Sequence, residues 1–219
     1  MNVEIWSDVV CPWCYIGKRR FERALEQFDR ASEIEVTWRS FQLNPEHPKG
    51  VRLPHDEHLA DKLGRTMDEI RVLNERVIGL ATAEGLDYDF ERYQVINTFD
   101  AHRLAHFGTA RGLGDAIQER LLRAQLAEGE VLDDMDTLVR LGAEVGLPAD
   151  DAREVLESDA YAADVRHDVS EARQIGIGGV PCFVFDRRFA VSGAQERELF
   201  LRALQQASEQ NALAESPDR

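Results

Sequence analysis

Two of the three cysteines in this 219-residue sequence, Cys11 and Cys14, stand three apart with Pro12 and Trp13 between them. A short β-prone run precedes the pair and a helical pattern follows it, so the pair falls at a helix N-terminus. Unpaired backbone N–H groups and the helix dipole favour an anion there, and the thiolate is the form that attacks a disulfide. Cys11, at the cap, is read as the attacking thiolate. Cys14, one turn in, is read as the shielded thiol that resolves the mixed disulfide. A zinc site would need a second ligand pair at similar spacing. The other cysteine, Cys182, stands alone, and His47, His55 and His58 around a proline-rich loop match no ligand pattern and read as solvated. No metal is expected.

A second tract, Gly178-Gly179-Val180-Pro181-Cys182, places a proline at the start of a strand behind paired glycines. That is a setting for a cis X–Pro bond. A cis bond would turn the carbonyl and N–H of Val180 outward, ready to pair with an extended substrate as an added strand. Cys182 follows directly, so it is expected close to the dithiol as well as being a small buried strand residue. Pro12, Trp13, Val180, Pro181 and Cys182 are the expected substrate contacts around the thiols.

The elements that must position these residues follow from periodicity. Residues 2–10 have strand character, and Pro12 suits the first turn of a helix whose apolar Ile16, Phe21, Leu25 and Phe28 recur at helical spacing. Residues 34–43 alternate Ile34, Val36 and Trp38 against Glu35, Thr37 and Arg39, a second strand. A βαβ unit results, with its strand pair parallel. Three prolines within 44–58 mark a loop leaving the sheet. From about 55 to 175 nearly everything reads as helix, with a capping box at Thr66 and Glu69 and a cap at Asn97 or Thr98. Short strands at 182–186 and 189–192 flank a turn at Arg187-Arg188, and a closing amphipathic helix runs 195–210, with a frayed end at Ser216–Arg219. The pattern predicts an α/β thioredoxin-like fold, βαβ…ββα, with a large all-helical insertion. Residues 1–50 and 176–219 form the thioredoxin-like domain, and 51–175 the inserted helical domain.

Composition narrows the function. With 26 Lys and Arg against 41 Asp and Glu the net charge is −15, which disfavours nucleic acid and anionic membrane surfaces. No window approaches the roughly 18 apolar residues of a membrane span. The N-terminus carries acids where a signal peptide needs a basic start, so a cytoplasmic location is expected. A monomer or a homodimer is equally compatible with the sequence.

The stretches SDVVCPWCYIGKRRFE (7–22), NTFDAHRL (97–104) and GIGGVPCFVFDRRFAVSGAQ (176–195) resemble the DsbA-family oxidoreductases of the FrnE-like group, nearly end to end and in the same order. The resemblance implies thioredoxin fold with a helical insertion, dithiol–disulfide activity for Cys11 and Cys14, and a cis-proline role for Pro181. It also implies that Asn97 and His102 border the substrate cleft. No cofactor is implied, although glutathione or another thiol could serve as co-substrate; the partner is a protein or small-thiol disulfide. The related 2-hydroxychromene-2-carboxylate isomerases and kappa-class glutathione transferases carry serine where Cys11 stands. A glutathione-dependent transferase or isomerase is therefore the alternative enzyme, and a redox-regulated peptide-binding or chaperone-like module the non-catalytic one. Two departures stand out. The position of the buried acid in some thioredoxin-like enzymes is Ile5 here, leaving Asp8 as the nearest acid. Trp13 replaces the histidine found between the cysteines of other members, which predicts a less oxidising pair.

Overall fold

The computed structural model describes residues 1–214, so the fraying expected at Ser216–Arg219 lies outside the described residues. In chain order the elements are β1 (Asn2–Ser7), α1 (Pro12–Leu25), β2 (Glu35–Ser40), β3 (Leu53–Pro54), α2 (His55–Leu63), α3 (Met67–Ala83), β4 (Gln94–Val95), α4 (Phe99–Thr109), α5 (Gly114–Leu126), α6 (Met135–Glu144), α7 (Ala149–Glu157), α8 (Ala162–Gln174), β5 (Cys182–Phe185), β6 (Phe189–Ser192) and α9 (Arg197–Ala214). The main sheet has the order β2-β1-β5-β6, with β1 and β2 parallel and the other neighbours antiparallel. This is the α/β thioredoxin-like plan, with seven helices placed in the chain between β2 and β5.

Alternation along β1 decides what lies on each face of the sheet. Val3 and Ile5 point to the side covered by α1 and α9, where Phe21, Phe183, Phe185, Phe200 and Leu204 complete a core. Glu4 and Trp6 point the other way, toward α8, and Trp6 packs with Ala172, Ile177, Cys182 and Val184. By the same parity Ser7 belongs to the α1 side. The helical block has its own core, built from Leu104, Phe107, Ile117, Leu121, Leu138, Leu141 and Val155 among others.

Sequence and structure differ in two places within the block. Residues 53–54 and 94–95 pair as a two-stranded antiparallel ladder, too short to leave a periodic signal. His55 starts a helix rather than lying in a solvated loop, because Pro54 sets the extended residue before it and Asp56 and Glu57 fill its acidic first turn. The Thr66–Glu69 capping box is present in both directions. In the β5–β6 hairpin, Asp186 and Arg187 both have positive φ without being glycine. Their side chains hold them there: Asp186 accepts from the Asn2 N–H at 2.7 Å, and Arg187 pairs with Glu4 and Glu171 at 2.7 and 2.8 Å.

The helical block is tied to the sheet by buried charge. Asp168 of α8 is fully buried, accepts from the Ser40 N–H at 2.9 Å, and meets Arg39 at 3.0 Å and His106 Nε2 at 3.1 Å. Burial alone would raise its carboxyl, but His106, the Ser40 N–H and Arg39 outweigh it and hold the group below the usual aspartate value. A carboxyl lower in the folded than in the unfolded chain stabilises fully above the unfolded value. That contribution fades as pH falls through the folded value. Asp168→Asn is therefore expected to cost on the order of 3 kcal/mol near neutral pH and to flatten the loss of stability below about pH 4. Denaturant melts of both proteins across the acid range check this.

Candidate active site

β1 stops at Ser7 because the chain must turn into α1, and Asp8 makes the turn by accepting from the Cys11 N–H at 3.0 Å. Cys11 is the N-cap of α1 with extended φ and ψ, and Pro12 fills the first helical position. Both sulfurs are unpaired and nearly dry: Cys11 is 4% and Cys14 1% exposed. Cys11 Sγ lies 3.5 Å from the carbonyl oxygen of Val180, which precedes Pro181 across a cis peptide bond. Trp13 is exposed at the rim. Pro181 can pack this closely because residue 17 is glycine; a Cβ there would sit 2.9 Å from Pro181 Cγ.

Burial pushes the Cys14 thiol well above the ordinary cysteine range, and the adjoining Cys11 sulfur, which it hydrogen-bonds, pushes the same way. Two donors, the Ser7 hydroxyl and the Asp8 N–H, pull in the opposite direction. The two thiols thus have different surroundings despite being one turn apart.

Sequence reasoning missed the residues that hold this loop. Tyr88 donates its hydroxyl to the Pro12 carbonyl at 2.6 Å, and the Tyr93 hydroxyl bonds the Val10 carbonyl. Together with Tyr15, Ile16, Leu122 and Leu126 they form the apolar seam in which both thiols lie. Burial raises both phenols, so they stay neutral donors. The one local signal was the aromatic density of Tyr88, Phe90 and Tyr93 in a break between helices.

Several expected site residues are placed elsewhere. Cys182 is not beside the dithiol: strand parity turns it to the opposite face of the sheet, opposite Trp6, and burial pushes its thiol up to about 11. Asn97 does not line the cleft. Its side chain donates to the His47 carbonyl at 2.5 Å and accepts from the Phe99 N–H at 2.9 Å, tying the proline-rich loop to the start of α4. His102 is buried behind the loop, its Nε2 3.2 Å from Asp8 Oδ1, while Asp8 Oδ2 accepts from the Leu43 N–H. His47 and His55 are not solvated; His47 bonds the Val51 carbonyl, and His55 stacks on Phe90 and Tyr93. Beside the dithiol a cavity of about 160 Å³ opens between Val10, Pro12 and Leu43 on one side and His55, Leu59 and Tyr93 on the other. Among the described residues no group of His, Cys, Asp or Glu is placed to hold a metal ion, and no helix is long and apolar enough to cross a membrane.

The family model of the DSBA-like thioredoxin domain matches residues 2–205, and the chain belongs to that family. Its fold is also that of a probable DsbA oxidoreductase from Streptomyces coelicolor, at 42% identity and a TM-score of 0.92 over 95% of this chain and 90% of that one. The protein YwbO of Bacillus subtilis is 26% identical over 93% of this chain and 96% of its own length. At the level of fold alone, the cytosolic disulfide reductase DsbM of Pseudomonas aeruginosa superposes with a TM-score of 0.67 at 17% identity, covering 95% and 99% of the two chains. By family, fold and paired thiols, the chain is a thiol–disulfide oxidoreductase in the general sense.

The contact between Gly17 and Pro181 gives a stability test. Gly17→Ala must displace a proline ring rather than the tip of a flexible chain. The helix preference of alanine over glycine, about 1 kcal/mol, is expected to be outweighed by overpacking of about 1–3 kcal/mol. Thermal melts should give a lower midpoint for Gly17→Ala. A rise would mean that Pro181 yields freely.

Proposed function

We propose that the protein is a cytoplasmic dithiol–disulfide oxidoreductase or isomerase that works through a mixed disulfide, with Cys11 as nucleophile and Cys14 as resolving thiol. The observation that carries this reading is the placing of Cys11 at the cap of α1, its sulfur 3.5 Å from the Val180 carbonyl, with Cys14 in contact behind it. The thioredoxin-like segments 1–50 and 176–219 supply the thiols and the Val180–Pro181 ledge, and 51–175 acts as the domain closing over them.

In the reducing direction the Cys11 thiolate attacks one sulfur of a substrate disulfide RS–SR′. A Cys11–S–S–R bond forms, the substrate S–S bond breaks, and R′S⁻ leaves. Cys14 thiolate then attacks Cys11 Sγ; the Cys11–Cys14 bond forms and RS⁻ departs. Two electrons have passed to the substrate, and another thiol, glutathione among the candidates, must return them. Run backwards, the oxidised pair makes a disulfide in a dithiol client. Both steps need the attacking sulfur as thiolate, and the family match together with the paired cysteines supports this chemistry over serine-type activation of glutathione.

Cys11→Ser is expected to lower insulin-disulfide reduction at least a thousandfold, and Cys14→Ser to accumulate a covalent Cys11–client adduct visible on non-reducing gels. Turnover retained in Cys11→Ser, with glutathione and a chromene or haloarene as substrate, would instead favour the transferase or isomerase reading.

A further inference from the structure

His55 is a polar side chain of the slot beside the dithiol that the exchange mechanism leaves unused. It holds the first position of α2, its backbone N–H donates to the Tyr93 carbonyl at 3.3 Å, and its side chain is only 10% exposed. The ring lies against Phe90 and Tyr93, with centroids 5.0 and 4.6 Å away. Nδ1 faces Asp56 Oδ1 at 2.9 Å, and Asn74 donates to the same oxygen at 2.7 Å, which holds the carboxylate in place. A carboxylate oxygen only accepts, so Nδ1 carries the ring hydrogen and Nε2 is left with a lone pair. Nε2 has no partner among the described residues and is not sealed from solvent. His55 lines the slot and Asp56 does not, so the ring edge turned away from Asp56 is the one that meets it. Burial holds the imidazole below the usual histidine value, although Asp56 pushes the other way. The ring is therefore neutral near pH 7, and Nε2 is an acceptor there.

We propose that the slot is a substrate subsite in which His55 Nε2 accepts a hydrogen bond from a neutral donor, a hydroxyl or an amide, on the residue flanking the client's cysteine. This rests on the exchange reading above and adds a specificity-determining residue to it. The slot adjoins the nucleophile through Val10 and Pro12, so a side chain within it belongs to a residue next to the reacting sulfur. The charges in the lining decide against ions. Asp8 is buried and Lys62 is exposed, and both line the slot. An entering carboxylate meets Asp8 and the Nε2 lone pair, whereas an ammonium or guanidinium meets Lys62. His58, also in the lining, is held below the usual histidine value by burial and by Lys62, so it adds no charge near pH 7. An apolar side chain of the same size would fill the slot but leave Nε2 without a partner, and that loss is what lets a buried acceptor discriminate.

Peptides of the forms acetyl-Gly-Xaa-Cys-Gly-amide and acetyl-Gly-Cys-Xaa-Gly-amide, loaded as mixed disulfides with thionitrobenzoate, test this on the full-length reduced protein. The Cys11 thiolate attacks the peptide sulfur and a Cys11–peptide disulfide forms. Thionitrobenzoate leaves with the electron pair of the broken S–S bond, and its release gives the second-order rate. Thr and Val at Xaa differ by a hydroxyl in place of a methyl at nearly equal volume. In at least one series the wild type is expected to react about fivefold faster with Thr than with Val, the scale of one neutral hydrogen bond, and faster with Gln than with Glu or Lys. His55→Phe keeps an aromatic ring in the stack and removes the acceptor, so the Thr-to-Val ratio should fall to about one. His55→Gln, whose amide oxygen takes the place of Nε2, should bring it back to about twofold or more. Should His55→Phe not fold, Asp56→Ala, which frees the tautomer, replaces it, with a ratio expected below about twofold. A wild-type ratio near one in both series, or a preference for Glu or Lys over Gln, overturns the proposal. So does an unchanged ratio in folded His55→Phe or in its replacement, or a folded His55→Gln that restores nothing. Release that continues undiminished in Cys11→Ser would instead overturn the exchange mechanism on which the proposal stands.

Discussion

Two thiols held in a seam almost without water are the constraint on which the rest of this structure depends. Burial disfavours the thiolate at Cys14, so any charge there would need protein donors in place of solvent, held at fixed positions. The chain meets this with backbone restraint on all sides of the pair. Asp8 closes the turn before Cys11 through its carbonyl and anchors Leu43 through its carboxylate. Tyr93 and Tyr88 fasten the carbonyls of Val10 and Pro12 from the helical block. Gly17 opens the space that Pro181 occupies. Each contact joins segments far apart in the chain, so the geometry at the sulfurs is only as rigid as the docking of the helical block on the sheet.

That docking relies on charges placed where water is scarce, and nearly every one is paired. Lys18 of α1 is 2% exposed and lies among Glu22, Asp115 and Glu119, which joins the helix carrying the thiols to α5. Glu4 is buried between Arg39 and Arg187. Arg103 spends its guanidinium on the carbonyls of Val155, Leu156, Ser158 and Ala160, satisfying the C-terminal end of α7. Removing one partner from such a set strands the other in a poor solvent, so these ties specify one arrangement of block and sheet more than they add net stability. The excess of acid in the composition is therefore a property of the surface, since the buried acids are matched.

Much of this was legible before folding, and what was not has identifiable causes. The strand, cap and helix around Cys11, the Thr66–Glu69 box and the order of the sheet elements rest on spacing within a few residues, which a sequence displays directly. Tyr88 and Tyr93 bond backbone more than 75 residues away, and no local pattern announces such a contact. His55 misled because three prolines drew the segment into a loop, whereas Pro54 in fact precedes a helix start. Cys182 is a different kind of miss. Strand parity already puts residues 181 and 182 on opposite faces, so a proline facing α1 sends the next side chain away from it. His102, expected to border the cleft, instead partners Asp8 and supports the loop from behind.

The dimensions of the cleft bear on what reaches the thiols. About 160 Å³ beside Pro12 is well short of the roughly 300–1,000 Å³ that enclose a drug-sized ligand. It has room for one side chain or one arm of a small thiol. Its walls are mostly apolar, from Val10, Leu43, Leu59 and Tyr93, with Lys62 and His58 also in its lining. Lys62 has no carboxylate within ion-pair distance among the described residues, in a chain whose other two lysines are paired. An apolar slot lined by one unpaired cation can select by shape and by charge. It would admit an extended chain whose disulfide lies against the Val180 carbonyl and whose flanking residue enters the slot. Under the proposed exchange such a chain would meet Cys11 before Cys14, which is the less exposed of the two.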